Sequence, residues 1–140
     1  MRIPLQANYF TIPEGPEPPR LIGSRCGACG EHYYPTRQVC AKAECLSRDL
    51  TEVLLGPYGT LYTHTFVHIP IFGSSRSDLK KYAVGQVDLD EGPRIQSVLM
   101  GEPGAFRIGQ RMVLTLDVLR QDKDGNDMMI FRFMPSPEVN

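Results

Sequence analysis

The sequence predicts an all-β protein in which an N-terminal arm and a small cysteine module precede an antiparallel barrel. Three observations lead to this prediction. All four cysteines lie within residues 26–45. Segments rich in β-branched and aromatic residues recur after residue 51. No stretch shows a strong helical spacing of apolar residues.

Composition and charge narrow the classes of function. The chain has 140 residues, of which 41% are hydrophobic, and this is enough for a core. A formal net charge of −1 argues against a nucleic-acid partner, since proteins that bind the phosphate backbone are usually basic. The start of the sequence lacks the apolar run of a secretory signal, and no segment approaches the roughly 20 apolar residues of a membrane span. We therefore expect a cytoplasmic protein with no membrane partner.

The first 20 residues predict an extended arm. Proline removes backbone donors and resists helix formation, and the arm holds five prolines: Pro4, Pro13, Pro16, Pro18 and Pro19. Tyr9, Phe10 and Ile12 are apolar residues on this arm. They need a surface to cover, which belongs either to this chain or to a partner.

The cysteine module, residues 21–50, predicts a metal site. Cys26, Cys29, Cys40 and Cys45 read C-x2-C-x10-C-x4-C, and two close pairs can bring four thiolates around one tetrahedral zinc. The alternatives are two disulfides, which a reducing compartment disfavours, or unrelated core cysteines. Four thiolates close the coordination sphere, so we expect a structural zinc, with iron as the other metal that suits such a site. His32 then lies outside the sphere.

The remainder of the chain, residues 51–140, predicts a barrel of five strands. The predicted strands cover residues 59–68, 82–89, 94–100, 112–119 and 128–133, with turns at 90–93 and 122–127. Simple alternation along the first strand places Leu61 and Val67 on one face and Tyr62, His64 and Phe66 on the other. A small antiparallel barrel with short turns is typical of an OB-fold.

Two further groups of residues are candidates for function. His64 and His68 share a predicted face, but neither has an evident nucleophile or acid beside it, so we interpret them as partly exposed barrel residues. The long connection at 70–81 carries Arg76, Lys80 and Lys81, which could meet phosphates or the acidic groups of a partner. The alternative is a solvated loop. Standard catalytic motifs such as a Walker loop or G-x-S-x-G are absent from the sequence.

An ordered set of motifs resembles a known family of acyl-CoA-associated proteins, which carry an N-terminal rubredoxin-like zinc ribbon and a C-terminal OB-fold. The resemblance runs from about residue 21 to residue 133 and rests on residues 21–30 (LIGSRCGACG), 34–40 (YPTRQVC), 59–65 (GTLYTHT), 87–94 (VDLDEGPR) and 106–112 (FRIGQRM). The second cysteine pair departs from the family's usual C-x2-C. The family's N-terminal segment is often helical, whereas this one is rich in proline.

The resemblance implies a non-catalytic accessory subunit in a hetero-oligomer with a thiolase-fold catalytic subunit. Similarity is greatest to the small accessory subunits of thiolases of anaerobic toluene degradation. These enzymes cleave benzoylsuccinyl-CoA to benzoyl-CoA and succinyl-CoA. Arg76, Lys80 and Lys81 would then contact CoA phosphates or the partner. We expect the arm (Tyr9, Phe10 and Ile12) and the barrel face around Tyr62 and Phe66 to contact the thiolase. The alternative function is a nucleic-acid-binding module, since zinc ribbons and OB-folds both serve that purpose.

Overall fold

The computed structural model describes residues 1–67, 82–101 and 103–137. These residues form nine β-strands and one short 3-10 turn at Pro103–Ala105, and they contain no α-helix. The strands are β1 (Arg2–Pro4), β2 (Leu21–Cys26), β3 (His32–Tyr33), β4 (Leu50–Leu55), β5 (Tyr58–Val67), β6 (Tyr82–Leu89), β7 (Arg94–Leu99), β8 (Arg111–Gln121) and β9 (Asp127–Pro135). The all-β prediction is confirmed, and no helix within this part of the chain could cross a membrane.

Five of the strands close into a barrel. Their order is β5-β6-β7-β9-β8, and β8 pairs back onto β5 through Tyr58–Thr60. All of these pairings are antiparallel except that of β7 with β9, which is parallel and joins Leu99 to Phe133. Closure removes the free edges that would otherwise invite aggregation. The predicted five-stranded OB-like barrel is thus confirmed.

The core follows the alternation of strand side chains. On β6 the even-numbered positions are half-exposed while Ala83, Val87 and Leu89 are buried. Met112 and Leu114 of β8 and Phe133 of β9 are at most 2% exposed and meet them inside the barrel. Farther along β8, a register shift between Val118 and Arg120 buries Leu119 in place of Val118.

The predicted faces of β5 are wrong because the strand contains a β-bulge. Leu61 pairs with Val87, but Thr63 pairs with Gln86, so Tyr62 is the extra residue. One extra residue reverses the alternation beyond it. His64 therefore lies on the same face as Leu61, opposite Gly85, whereas Val67 points to the other side. Residues that were expected to share one face are divided between two.

The N-terminal arm packs on the chain's own barrel and ribbon. β1 pairs in parallel with Asp127–Met129 of β9, and the N–H of Leu5 donates to the carbonyl oxygen of Met129 at 2.8 Å. Phe10 forms a β-bridge with Leu21 and is only 7% exposed within the core. The expectation that Phe10 contacts a partner is therefore wrong, because its ring is already buried against Phe131.

A three-stranded sheet in the order β3-β2-β4 forms the ribbon and is separate from the sheet that contains the barrel. At the junction, a carboxylate oxygen of Glu91 accepts the N–H of Gly56 at 3.1 Å. The guanidinium of Arg20 donates to the carbonyl oxygens of Leu54 and Leu55 at 3.2 Å. These bonds link the β6–β7 turn, the end of β4 and the start of β2. The predicted division into 1–20, 21–50 and 51–140 stays a prediction.

Candidate metal centre

The ribbon brings all four cysteine sulfurs together. Cys26 ends β2, and Cys29 follows in a turn that Gly30 closes with a φ of +83°. Glycine adopts this conformation without the steric cost that a side chain brings. Cys40 and Cys45 come from the segment between β3 and β4. The four Sγ atoms lie within 4.8 Å of one another.

The spacing of the sulfurs fits a tetrahedral metal. Sγ of Cys26 lies 3.7 Å from that of Cys45, and Sγ of Cys29 lies 3.6 Å from that of Cys40. Four sulfurs about 2.3 Å from a zinc ion stand about 3.8 Å apart at the corners of a tetrahedron. A disulfide would need a separation of about 2.05 Å. The cysteines are free thiols in this structure, and their arrangement suits one structural zinc.

The electrostatics of the cluster also favour a bound cation. The hydroxyl of Tyr33 lowers the pKa of the Cys40 thiol to about 6. The N–H of Ser47 favours the Cys45 thiolate, yet burial and the neighbouring thiols together raise the pKa of Cys45 to about 12. Four thiolates crowded together repel one another, so the last of them ionises only at high pH. A divalent cation offsets that repulsion and releases the remaining protons.

The two described histidines take no part in this cluster. His32 lies on β3 opposite Arg25 and supplies none of the clustered donor atoms. The ring of His64 packs against Phe66 and Phe106, with centroids 6.0 Å apart in each case. The Nδ1 atom of His64 is buried and has no hydrogen-bond partner. The other predicted candidates, His68, Arg76, Lys80 and Lys81, lie outside the described residues.

Tyr33 is a residue of the site that the sequence interpretation missed. Its hydroxyl lies 3.1 Å from Sγ of Cys40. The available signal was weak, namely a tyrosine between the two cysteine pairs. Only the fold of the ribbon shows that β3 directs this ring toward the second pair and leaves Tyr34 to pack on Phe131.

Several large apolar side chains remain exposed in the described part of the chain. Tyr62 is 48% exposed, and the guanidinium of Arg94 stacks on its ring at 3.5 Å from the centroid. Asp88 holds that guanidinium through contacts of 2.6 and 3.2 Å. Ile108, at 70%, is more exposed still, and it lies beside β5 because Gly109 donates its N–H to the carbonyl oxygen of Leu61. We call Tyr62 and Ile108 the barrel patch.

The N-terminal arm leaves a second apolar feature. A groove of about 110 Å³ runs between the arm, the ribbon and β9. It is lined by Leu5, Gln6, Tyr9, Phe10, Tyr34, Ile130 and Phe131. Burial raises the pKa of Tyr34 to about 12, as expected for a phenol in apolar surroundings. Tyr9 and Ile12 pack partly buried against the core.

Two family models match consecutive parts of the chain. The model of the ChsH2 rubredoxin-like zinc ribbon domain matches residues 13–51, and that of the ChsH2 C-terminal OB-fold domain matches residues 52–117. Together they cover the metal cluster and most of the barrel.

Individual relatives and a solved structure agree with these models. The chain is 31% identical over 115 residues to the benzoylsuccinyl-CoA thiolase subunit BbsA of Thauera aromatica, an alignment that covers 82% of this chain and 76% of the relative. It is also 30% identical to a DUF35 domain-containing scaffold protein of Methanocaldococcus jannaschii, and this alignment covers 82% of this chain and 81% of the relative. A solved structure of an Ltp2-ChsH2(DUF35) aldolase contains a chain that is similar to this one, with a TM-score of 0.62 and 30% sequence identity. The match covers 83% of this chain and 84% of that chain.

Proposed function

Because the chain belongs to the family that joins a ChsH2-type rubredoxin-like zinc ribbon to a ChsH2-type OB-fold, we propose that it is a non-catalytic accessory subunit of a thiolase that acts on acyl-CoA. In the finer form of this proposal, the substrate is benzoylsuccinyl-CoA and the products are benzoyl-CoA and succinyl-CoA. The name of the Thauera aromatica relative supports this substrate.

The observation that carries the proposal is the gathering of every cysteine into one cluster. Thiolytic cleavage of a carbon–carbon bond needs a nucleophilic thiolate. The sequence has four cysteines, and all four sulfurs lie within 4.8 Å of one another in the ribbon. We propose that Cys26, Cys29, Cys40 and Cys45 all bind one structural zinc. The nucleophile must then come from another chain.

The barrel patch is our proposed contact with the catalytic subunit. Tyr62, although Arg94 stacks on its ring, and Ile108 both remain largely exposed, and exposed apolar surface often marks a binding site for another protein. Aromatic anchors of this kind contribute most of the energy of many interfaces. The groove lined in part by Leu5 and Tyr9 offers a second apolar contact, so the arm stays part of the proposal, although Phe10, only 7% exposed where it lines this groove, has little surface left to offer.

A nucleic-acid-binding role receives less support from the described surface. On the barrel, the guanidinium of Arg94 is paired with Asp88 at 2.6 Å, and that of Arg111 is paired with Asp90 at 2.8 Å. Cations neutralised in this way add little attraction for a phosphate backbone. We retain the proposal that Arg76, Lys80 and Lys81 meet CoA phosphates or acidic groups of the partner.

Co-expression with a thiolase-fold subunit tests the assembly. We expect a stable hetero-oligomer by size-exclusion chromatography with light scattering. Replacing Tyr62 and Ile108 together by serine should raise the dissociation constant of this hetero-oligomer at least 10-fold, because an interface anchor contributes more than about 1.4 kcal/mol to binding. The matched control is Leu54→Ser, which changes a side chain of similar exposure, 50%, on the ribbon.

Two outcomes of this experiment contradict separate parts of the proposal. Undiminished assembly of the Tyr62/Ile108 double variant would remove the barrel patch as the docking surface. Failure of the wild-type chain to assemble with the thiolase-fold subunit would argue against the accessory role itself. In the assembled complex, neutralising Arg76, Lys80 and Lys81 should raise KM for the CoA substrate, and an unchanged KM would contradict their proposed contact with CoA.

A further inference from the structure

The hydroxyl of Tyr33 contacts the second cysteine pair of the metal cluster. Tyr33 lies on β3, the strand that follows the first cysteine pair, and its oxygen is 3.1 Å from Sγ of Cys40 in the second pair. The same oxygen is 3.0 Å from the backbone nitrogen of Ala41. One side chain therefore contacts both a sulfur and the backbone of the next residue.

The direction of these two hydrogen bonds follows from their chemistry. The N–H of Ala41 can only donate, so the oxygen of Tyr33 accepts from it. A phenol has a single proton, and the remaining partner of that proton is Sγ of Cys40. When Cys40 is a thiolate, as a zinc ligand must be, its sulfur has no proton and can only accept, so Tyr33 donates to it in a charge-assisted hydrogen bond.

The ring of Tyr33 is held by contacts outside the cluster. β3 pairs with β2 through Ser24 and Tyr33. The guanidinium of Arg37 stacks on the ring, 5.3 Å from its centroid, and the backbone N–H of Arg37 donates to Oγ of Ser24 at 3.1 Å. Because these contacts do not involve the four sulfurs, they hold the ring of Tyr33 independently of the metal ligands in the folded ribbon.

The second cysteine loop is where such a group has the most effect. Four residues separate Cys40 from Cys45, compared with two in the first pair, and a longer loop loses more conformational freedom on closing. Within it, the carbonyl oxygen of Lys42 accepts the N–H groups of Cys45 and Leu46 at 2.9 and 3.0 Å. The bond from Ala41 to Tyr33 fixes the start of this loop.

We propose that Tyr33 is a positioning residue of the zinc site, whose hydroxyl orients the Cys40 thiolate and fixes the start of the C-x4-C loop. This inference rests on the proposed binding of zinc by the four cysteines. Groups that donate to a metal ligand orient it, and their loss typically costs 10–100-fold in metal affinity. Tyr33 therefore compensates for the longer spacing of the second pair.

The variant Tyr33→Phe tests this role, because it removes the hydroxyl and keeps the ring that stacks with Arg37. Competition with a chromophoric chelator should show zinc bound about 10–100-fold more weakly than by the wild-type chain. Cobalt substituted for zinc gives a second readout that a change in folding stability would not move. Loss of a hydrogen bond to the sulfur should shift the thiolate-to-cobalt charge-transfer band to longer wavelength.

The control is Tyr34→Phe, which deletes a hydroxyl from the adjacent ring that packs on Tyr9 and Phe131. It should leave zinc affinity and the cobalt spectrum unchanged. If Tyr33→Phe binds zinc as tightly as the wild type and gives the same spectrum, the role of Tyr33 is refuted while the zinc site stands. A wild-type chain that binds no zinc would overturn the site and this inference together, yet would leave assembly with a thiolase open to its own test.

Discussion

Replacing Cys26 by serine is expected to abolish stoichiometric zinc binding and to unfold the ribbon. Cys26 is fully buried at the end of β2, and a serine hydroxyl stays protonated at neutral pH and is a poor zinc ligand. The ribbon sheet has strands of six, two and six residues, which is too little core to fold unaided. Zinc binding supplies about 10 kcal/mol or more to the folding of such modules at pH 7.

Metal analysis and limited proteolysis measure this effect. The wild-type chain should hold one zinc and resist cleavage within residues 21–50, whereas the Cys26→Ser chain should hold none and be cleaved there. The control is Glu44→Gln, an exposed position between Cys40 and Cys45, which should behave as the wild type. A Cys26→Ser chain that still binds one equivalent of zinc and resists protease would show that the cluster does not stabilise the ribbon.

Replacing Phe133 by alanine is expected to destabilise the barrel by about 3–5 kcal/mol, the usual cost of removing a buried phenylalanine. Phe133 is fully buried at the point where the barrel closes. Its backbone pairs with Leu99 of β7 and with Leu114 of β8. Loss of its ring therefore leaves a cavity between the strands that complete the barrel.

Urea unfolding of the zinc-loaded protein measures this loss of stability. Phe66→Ala provides the matched control, because Phe66 is 39% exposed and its truncation should cost far less. Equal losses from the two variants would contradict a core centred on Phe133. A variant too unstable to purify would be replaced by Phe133→Leu, which should show a smaller loss in the same direction.

Local patterns in the sequence predicted most of the fold. The strands of the barrel alternate apolar and polar residues, and turn residues separate them, so their positions could be predicted. The clustering of the four cysteines could be predicted from their spacing, because two close pairs joined by a short segment can bring all four sulfurs around one metal ion. In both cases the signal lies within a short stretch of chain.

Features that depend on tertiary contacts could not be predicted in this way. The bulge at Tyr62 reversed the faces of β5, because an extra residue in one strand is defined only relative to its partner β6. Apolar residues of the arm could cover either this chain or another, and only the packed structure shows Phe10 inside its own core. Tyr33 reaches Cys40 through the turn of the ribbon, which sequence separation does not reveal.

The most direct test of the central claim is the turnover of an acyl-CoA thioester by this chain, by a thiolase-fold subunit, and by the two together. With all four cysteines gathered in the ribbon, the zinc-loaded chain alone should show no thiolytic cleavage, and its addition should raise cleavage by the partner in proportion to the complex formed. Cleavage by the chain alone, lost on alkylation of its thiols, would contradict the claim that its chemistry resides on another subunit.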